Sequence, residues 1–241
     1  MPEINLTILV DDLNGAELGY IKSFGFSILI ETHQRKVLFD TDTKEKVLLA
    51  NLTKYGTDPS SLDAVILSHN HYDHTNGLSG LLRINEDLPV YVHKYWEKKV
   101  KHIGDSIPLK NKIVIENGRK LSELGKEFYI TNAYQSPDYG GIYEQACYVQ
   151  TKDSFLLICG CSHPGLLCFL NDREFLKIPI NSFLHIIGGF HSFTFDIETV
   201  HLLDSYIRSV IVCHCTKNVD VYRNQFKNKF TLGTVGKTLK F

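Results

Sequence analysis

Three histidines and one aspartate lie within six residues of this chain, directly after a short apolar run. The run, Ala64–Leu67, is rich in β-branched residues and is followed by polar ones, which is typical of a buried strand. The segment His69–His74 then has the pattern His-x-His-x-Asp-His. His69 and His71 are separated by one residue, so both side chains can point the same way while the chain is extended. We therefore expect the pattern to lie where a strand leaves the core and the chain turns.

The residue types of this pattern indicate a metal site. Imidazole and carboxylate groups are the ordinary ligands of zinc and of similar divalent ions. Four such groups in one segment exceed what a single ion usually takes from it, so the pattern predicts a site for two ions. The alternative, a polar loop with chance histidines, is disfavoured because this spacing follows a buried strand.

Three later histidines have the same strand-then-loop context. His163, His191 and His214 each lie at or just beyond the end of an apolar run, so all three can converge at one sheet edge. We predict His163 and His214 as metal ligands and His191 as a catalytic residue of the site, with ligation as its alternative role. The other five are interpreted as structural or solvent-facing: His33, His93, His102, His185 and His201.

Two further groups are candidates near the metals. Asp40 ends an apolar run and could orient a ligand histidine, although an ordinary strand-ending turn is an equal alternative. The six cysteines all lie in the second half of the chain, mostly in strand-like runs, and are interpreted as reduced, buried thiols. Cys161 and Cys215 differ from the rest because each lies beside a histidine.

Composition limits the classes of function. The chain has 241 residues, 43% of them hydrophobic, which is enough for the core of one domain, predicted over residues 1–241. The formal net charge of −1 gives no general electrostatic case for nucleic acid or a membrane as partner. No run of 18 apolar residues and no signal-like start are present in the sequence, so we expect a cytoplasmic protein.

The order of elements favours a layered α/β or α+β fold, because strands come in runs with helices interspersed. The basic stretch Lys94–Lys101 is predicted to be a solvated helix, with a wall or lid over the pocket as its alternative. The predicted helices are Lys44–Tyr55, Lys94–Lys101, Gly165–Leu170, Ile197–Tyr206 and Val219–Phe226. The predicted strands are Ile4–Leu9, Phe26–Glu31, Lys36–Phe39, Ala64–Leu67, Val90–Val92, Lys112–Ile115, Phe128–Thr131, Ala146–Thr151, Phe155–Cys159, Phe183–Ile187 and Ser209–Cys213.

Over essentially its whole length the chain resembles the metallo-β-lactamase superfamily. Phe39–Thr41, Ser68–His74 and Gly77–Leu78 carry this resemblance. Within the superfamily it is similar to the branch of dihydropteroate-synthase-like metal-dependent hydrolases, which includes an archaeal enzyme of methanopterin biosynthesis. The segments similar to that branch are Gly140–Ala146, Gly160–His163, Gly188–His191 and His214–Thr216.

The resemblance implies an αββα sandwich of two mixed sheets flanked by helices, with the metals at one edge. By analogy, one ion would be bound by His69, His71 and His163, and the other by Asp73, His74 and His214. The superfamily usually has an aspartate that bridges both metals after a strand like Phe155–Cys159. This chain has Cys161 near that point, so the bridge is absent, is a thiolate, or is hydroxide alone.

The expected cofactors are two divalent ions, zinc first, with iron or manganese as alternatives. The expected reaction is hydrolysis of an ester, amide or phosphoester by hydroxide generated at the metals, with Asp73 orienting the water or accepting a proton. Lys217 adds a cation beside His214 and favours a small anionic substrate, and Glu144 is assigned to substrate binding as well. No oligomeric state is predicted.

Three other functions compete with hydrolysis. A transferase of pterin chemistry would use the metals to hold a pyrophosphate leaving group while an amine attacks. A di-iron redox protein is disfavoured because 241 residues leave no room for the flavin domain that such proteins usually carry. A non-catalytic binding protein is disfavoured by the nearly full set of ligands.

Overall fold

Two seven-stranded β-sheets lie face to face at the centre of the structure, a computed structural model that describes residues 3–241. Helices cover the outer face of each sheet. The helices are α1 (Glu45–Tyr55), α2 (Tyr72–Thr75), α3 (Leu78–Ile84), α4 (Leu166–Phe175), α5 (Ile197–Asp204) and α6 (Val219–Phe226). The strands are β1 (Asn5–Val10), β2 (Ser27–Glu31), β3 (Lys36–Phe39), β4 (Ala64–Ile66), β5 (Val90–His93), β6 (Lys112–Ile115), β7 (Arg119–Lys120), β8 (Phe128–Ile130), β9 (Tyr134–Gln135), β10 (Tyr143–Glu144), β11 (Cys147–Gln150), β12 (Ser154–Cys159), β13 (Phe183–Gly188), β14 (Ile207–Val212), β15 (Phe230–Leu232) and β16 (Thr238–Lys240).

Each large sheet combines parallel and antiparallel strands. The first has the order β16-β1-β2-β3-β4-β5-β6 and is parallel from β3 to β6. The second has the order β15-β14-β13-β12-β11-β8-β7 and is parallel from β15 to β12. Strands β9 and β10 form a separate antiparallel pair. The predicted αββα sandwich of two mixed sheets is confirmed.

The continuous apolar runs of the sequence are explained by burial on both faces of each sheet. In β2, Ile28 and Ile30 point into the core between the sheets, whereas Leu29 points outward to the core under α1 and α3. Successive side chains of a strand alternate between faces, so a strand covered on both sides has no polar face. A third cluster lies between the second sheet and helices α4, α5 and α6.

All the predicted strands are present, but the helix predicted over Lys94–Lys101 is wrong. This stretch forms turns. The side-chain amide of Asn70 donates to the carbonyl oxygens of Trp96 (2.9 Å) and Lys98 (3.2 Å), which are thereby held next to the His69–His74 segment. Five short strands and two helices were not predicted: β7, β9, β10, β15, β16, α2 and α3.

Within residues 3–241, no helix has the length and apolarity that a membrane crossing requires.

Gly188 provides a test of how closely the strands of the second sheet approach. Its φ is +138°, and a Cβ atom there would lie 2.0 Å from the carbonyl oxygen of Cys159 on the paired strand. We expect Gly188→Ala to lower the free energy of unfolding by at least about 1–3 kcal/mol, the usual cost of such a backbone conformation in a non-glycine residue. Urea unfolding followed by circular dichroism measures it. Gly15→Ala is the control, because a Cβ there meets nothing within 4 Å; equal stability of the two variants would contradict this packing.

Candidate metal centre

The histidines predicted from the sequence come together at one edge of the sandwich, beyond the carboxyl ends of parallel strands. The pattern His69–His74 follows β4, His163 follows β12, His191 follows β13 and His214 follows β14. Parallel strands direct their carboxyl ends to the same edge, which is where open α/β sheets bind ligands.

Three imidazoles form the first ligand group. His69, His71 and His163 can place one ring nitrogen each within 4.8 Å of the others. The Nε2 atom of His69 is 3.1 Å from Nδ1 of His71, and the ring of His163 lies about equally far from both, at centroid distances of 5.0 and 5.1 Å. Both nitrogens of His163, and Nε2 of His71, are buried without a hydrogen-bond partner among the described residues.

The second ligand group combines a carboxylate with two imidazoles. Asp73, His74 and His214 also place one donor atom each within 4.8 Å of the others. The Oδ2 atom of Asp73 is 3.2 Å from Nε2 of His214 and 4.0 Å from Nε2 of His74. The two groups lie side by side, since the rings of His69 and His74 are 4.1 Å apart.

Asp40 orients a histidine of each group. Its buried carboxylate is 2.7 Å from Nδ1 of His74, and it accepts hydrogen bonds from the backbone N–H and the hydroxyl of Ser68 at 2.7 Å. The Ser68 hydroxyl is also 2.8 Å from Nδ1 of His69. Such contacts fix the orientation of a ligand ring and leave Nε2 free to bind an ion.

His214 is held by two aspartates that the sequence analysis missed. Asp11 accepts the backbone N–H of His214, and Asp12 bonds its Nδ1 atom. Both aspartates follow β1, so they have the same strand-then-loop context as the predicted ligands. Their position at the end of a strand could have marked the two aspartates as candidates. Their contact with His214 could not be predicted, because it joins residues about 200 positions apart in the sequence.

Cys161 lies between the two groups. Its Sγ atom is 3.2 Å from Nε2 of His74, and together with His69 and His74 it forms a further set of three donors within 4.8 Å. The Sγ atom of Cys215 is 2.9 Å from that of Cys161. Burial raises the pKa of the Cys161 thiol well above its ordinary value. A sulfur donor thus lies where the two ligand groups meet.

Glu144 lies beneath the loop that carries Cys161 and His163. Its carboxylate accepts the backbone N–H groups of Cys161 and Ser162, both at 2.8 Å, and of His163 at 2.7 Å. Burial raises the pKa of Glu144 to about 7, against the lowering effect of these three hydrogen bonds. Glu144, which the sequence predicts to bind substrate, has no exposed surface, and its side chain instead shapes the loop.

His191 lies next to the first group. Its ring is 4.7 Å from that of His163, and its Nε2 atom is 3.3 Å from the hydroxyl of Tyr139. Its Nδ1 atom is 3.9 Å from the carboxylate of Asp138, which can join His163 and His191 in a set of three donors. The side chain of Lys217 is exposed, and its backbone N–H donates to the carbonyl of His191 at 2.8 Å. Burial, and then the charge of Lys217, lower the pKa of His191.

An open pocket of about 190 Å³ gives access to the site. Its lining combines one possible metal ligand from each group, His71 and Asp73, with rings that the sequence pattern does not assign to the site. The sequence pattern predicts His102 to be structural or solvent-facing, and Tyr139 lies in a segment that predicts only a loop. The pocket is lined by Phe24, His71, Tyr72, Asp73, His102 and Tyr139.

The protonation states of the first ligand group suit a divalent metal. Burial, followed by positive charge on neighbouring histidines, lowers the pKa of His69, His71 and His163, so these imidazoles are neutral near pH 7. Burial would raise the pKa of Asp73, but charge on His74 and the hydrogen bond with His214 outweigh it, and the pKa falls below its ordinary range. Neutral imidazole nitrogens without partners beside a carboxylate fit the donor set of divalent ions.

Comparisons with known proteins agree with this geometry. The family model of the metallo-β-lactamase superfamily matches residues 21–145, more than half of the chain, and the chain belongs to that superfamily. The chain is 27% identical to a 7,8-dihydropterin-6-methyl-4-(β-D-ribofuranosyl)-aminobenzene-5′-phosphate synthase from Methanocaldococcus jannaschii. The aligned region covers 99% of this chain and 97% of that protein. This similarity agrees with the branch predicted from the sequence.

Solved structures show the same fold. The chain superposes on a metal-dependent hydrolase of the β-lactamase superfamily with a TM-score of 0.73 and 24% identity, covering 98% of both chains. It superposes on the metallo-β-lactamase-fold protein YhfI from Bacillus subtilis with a TM-score of 0.64 and 15% identity, covering all of both chains.

The two ligand groups predict how substitutions change metal content. We expect His163→Ala and His214→Ala each to lose roughly one ion per chain, because each removes a donor from a different group. Asp40→Asn keeps every donor but loosens His74, so we expect metal affinity to fall about 10–100-fold. Elemental analysis of dialysed protein measures the content. His201→Ala, an exposed residue of α5, is the control. Unchanged metal content in both ligand variants would contradict the assignment.

Proposed function

We propose that this protein is a metal-dependent hydrolase that cleaves an ester, amide or phosphoester bond of a small anionic molecule, with phosphoesters as the favoured class. The observation that carries the proposal is that two adjacent groups of possible metal ligands each contribute a residue to the lining of one open pocket. Asp73 belongs to the second group and His71 to the first, and both line that pocket. A substrate in the pocket would therefore contact both groups.

The two groups would hold two divalent ions, zinc first, with iron or manganese as alternatives, since imidazole and carboxylate suit all three. Bound ions would supply Lewis acidity, which lowers the pKa of a water molecule and offsets negative charge that develops on the substrate. Cys161 is proposed as a further donor between the groups, in place of the aspartate expected there.

Asp73 is proposed to position the attacking water. Its lowered pKa keeps it a carboxylate near neutral pH, so it can accept a hydrogen bond from water in the pocket. It could take up the proton released late in the reaction only transiently, because the charge on His74 and His214 favours the ionised form.

His191 is proposed to hold a proton for the leaving group, acting through Tyr139. The Tyr139 hydroxyl is 3.3 Å from Nε2 of His191, and Tyr139 lines the pocket. A hydroxyl can donate directly to an oxygen of the substrate, and the imidazole behind it can return the proton that the hydroxyl gives up. This arrangement supports a leaving group whose oxygen is protonated as it departs, such as an alcohol or a phosphate.

Lys217 supports an anionic substrate. Its side chain is exposed, and its charge acts on His191, so it lies at the rim of the site. A cation at the rim attracts a phosphate or carboxylate group and adds binding energy without taking part in the chemistry. The pocket volume of about 190 Å³ fits part of a small molecule, which supports a metabolite-sized substrate.

A second candidate is a transferase of pterin chemistry, and one observation favours it. The chain is similar to the M. jannaschii synthase over nearly the full length of both proteins. In that case the same pocket would hold the diphosphate leaving group while an amine attacks. The rings of Phe24 and Tyr72, 6.4 Å apart at its rim, offer a surface on which a planar heterocycle could pack.

A substrate panel tests the anionic-substrate proposal. It compares phosphomonoesters, phosphodiesters, carboxylic esters, lactones and β-lactams, with and without added zinc or manganese. We expect metal-dependent cleavage of phosphorylated compounds. Lys217→Ala should raise KM about 10-fold with kcat little changed, because the substitution removes an interaction that the bound substrate and the transition state make equally. Lys152→Ala is the matched control, since this exposed lysine lies on the turn between β11 and β12, at the opposite end of β12 from the site. Cleavage of neutral lactones or lactams alone, unaffected by Lys217→Ala, would contradict the proposal.

A second assay separates the two candidates. The protein is incubated with a pterin diphosphate in the presence and absence of an aromatic amine, and products are identified by mass spectrometry. Release of diphosphate without the amine supports hydrolysis. A new carbon–nitrogen bond that forms faster than the hydrolysis product would establish the transferase instead.

A further inference from the structure

Two cysteines from non-adjacent strands meet at the metal centre. Cys161 follows β12 and Cys215 follows β14, with β13 between them, yet their Sγ atoms are 2.9 Å apart. The space for this contact depends on Gly189, where a Cβ atom would lie 2.9 Å from the sulfur of Cys215. Both thiols are free in the structure.

The same two sulfur atoms belong to the sets of possible metal ligands. Cys161 forms one set with His69 and His74, and both cysteines form another with His214. Each sulfur can therefore bond either to an ion or to the other sulfur, and the two outcomes exclude one another for these atoms.

We propose that Cys161 and Cys215 are a modification site, at which a hydroperoxide converts the thiol pair into a reversible disulfide that withdraws both sulfur atoms from the metal centre. This inference goes beyond the proposed function and does not depend on the identity of the substrate. It places a redox-sensitive bond at the junction of the two ligand groups.

The geometry favours closure of this bond. A disulfide needs sulfur atoms about 2.05 Å apart, so the two sulfurs must approach by less than about 1 Å. Both cysteines lie in loops beyond strand ends, so this movement breaks no hydrogen bond of the sheet. Cys215 is partly exposed and Cys161 is 3% exposed, so the oxidant reaches Cys215 first and Cys161 acts as the resolving thiol.

The chemistry balances with a hydroperoxide as the only co-reactant. The sulfur of Cys215 attacks one peroxide oxygen, the O–O bond breaks, and water or an alcohol leaves with the thiol proton, which gives a sulfenic acid. The sulfur of Cys161 then attacks that of Cys215, the S–O bond breaks, and water leaves with the second thiol proton. The sulfur pair loses two electrons, which the peroxide gains.

Thiol mapping of the purified protein, with the metal it carries, tests the proposal. Protein treated with hydrogen peroxide is alkylated, digested and analysed by fragment-ion mass spectrometry, which separates Cys161 from Cys159 and Cys215 from Cys213. We expect one cross-link, between Cys161 and Cys215, and a metal content that falls as the cross-link forms. Dithiothreitol should reverse the cross-link.

Variants supply the controls. Cys161→Ser and Cys215→Ser should each abolish the cross-link, whereas Cys168→Ser should keep it, because Cys168 is a half-buried thiol of α4 bonded to the Pro164 carbonyl. The wild-type experiment keeps the proposal testable even if a variant fails to fold. Sulfinic acid on Cys215 without a cross-link, no loss of thiols, or a cross-link that leaves the metal content unchanged would each overturn it. None of these outcomes bears on whether the protein is a hydrolase.

Discussion

The buried carboxylate of Asp40 connects the fold to the site. It follows β3, accepts two hydrogen bonds from Ser68 at the end of β4, and is 2.7 Å from Nδ1 of His74. All three residues have no exposed surface, so loss of one partner would leave a buried polar or charged group unpaired, at a cost of about 3–5 kcal/mol for an ion pair. The ends of two strands and the first residues of α2 therefore keep one arrangement. The ligand rings are positioned by the same contacts that hold the sheet edge together.

The remaining ligands follow from strand order and local charge. Because β12, β13 and β14 are parallel neighbours, their loops bring Cys161, His191 and His214 to the edge where the His69–His74 pattern leaves the first sheet. Neutral imidazoles and carboxylates concentrated in a buried space are poorly satisfied by the protein alone, as the unpartnered nitrogens of His163 indicate. Divalent cations would satisfy them, so the arrangement is one that metal binding stabilises.

Much of the fold and the positions of the principal site residues could be predicted, because both depend on local pattern. Strands buried on both faces are continuous apolar runs, and the ligands lie where such runs end. The features that could not be predicted depend instead on contacts between segments that are distant in the sequence. The side chain of Asn70 donates to the carbonyls of Trp96 and Lys98, in a stretch that does not form the predicted helix. The roles of Asp12 and Glu144 likewise depend on partners that only the folded chain brings near.

Two adjacent residue groups at this sheet edge are proposed to hold one divalent ion each. Diffraction data from metal-loaded crystals, collected at the absorption edge of the bound metal, test this proposal most directly. We expect two anomalous peaks, one about 2.0–2.2 Å from ring nitrogens of His69, His71 and His163, and one equally close to donors of Asp73, His74 and His214. Ions bound elsewhere, or a side chain of His163 or His214 that points away from the peaks in loaded protein, would contradict it.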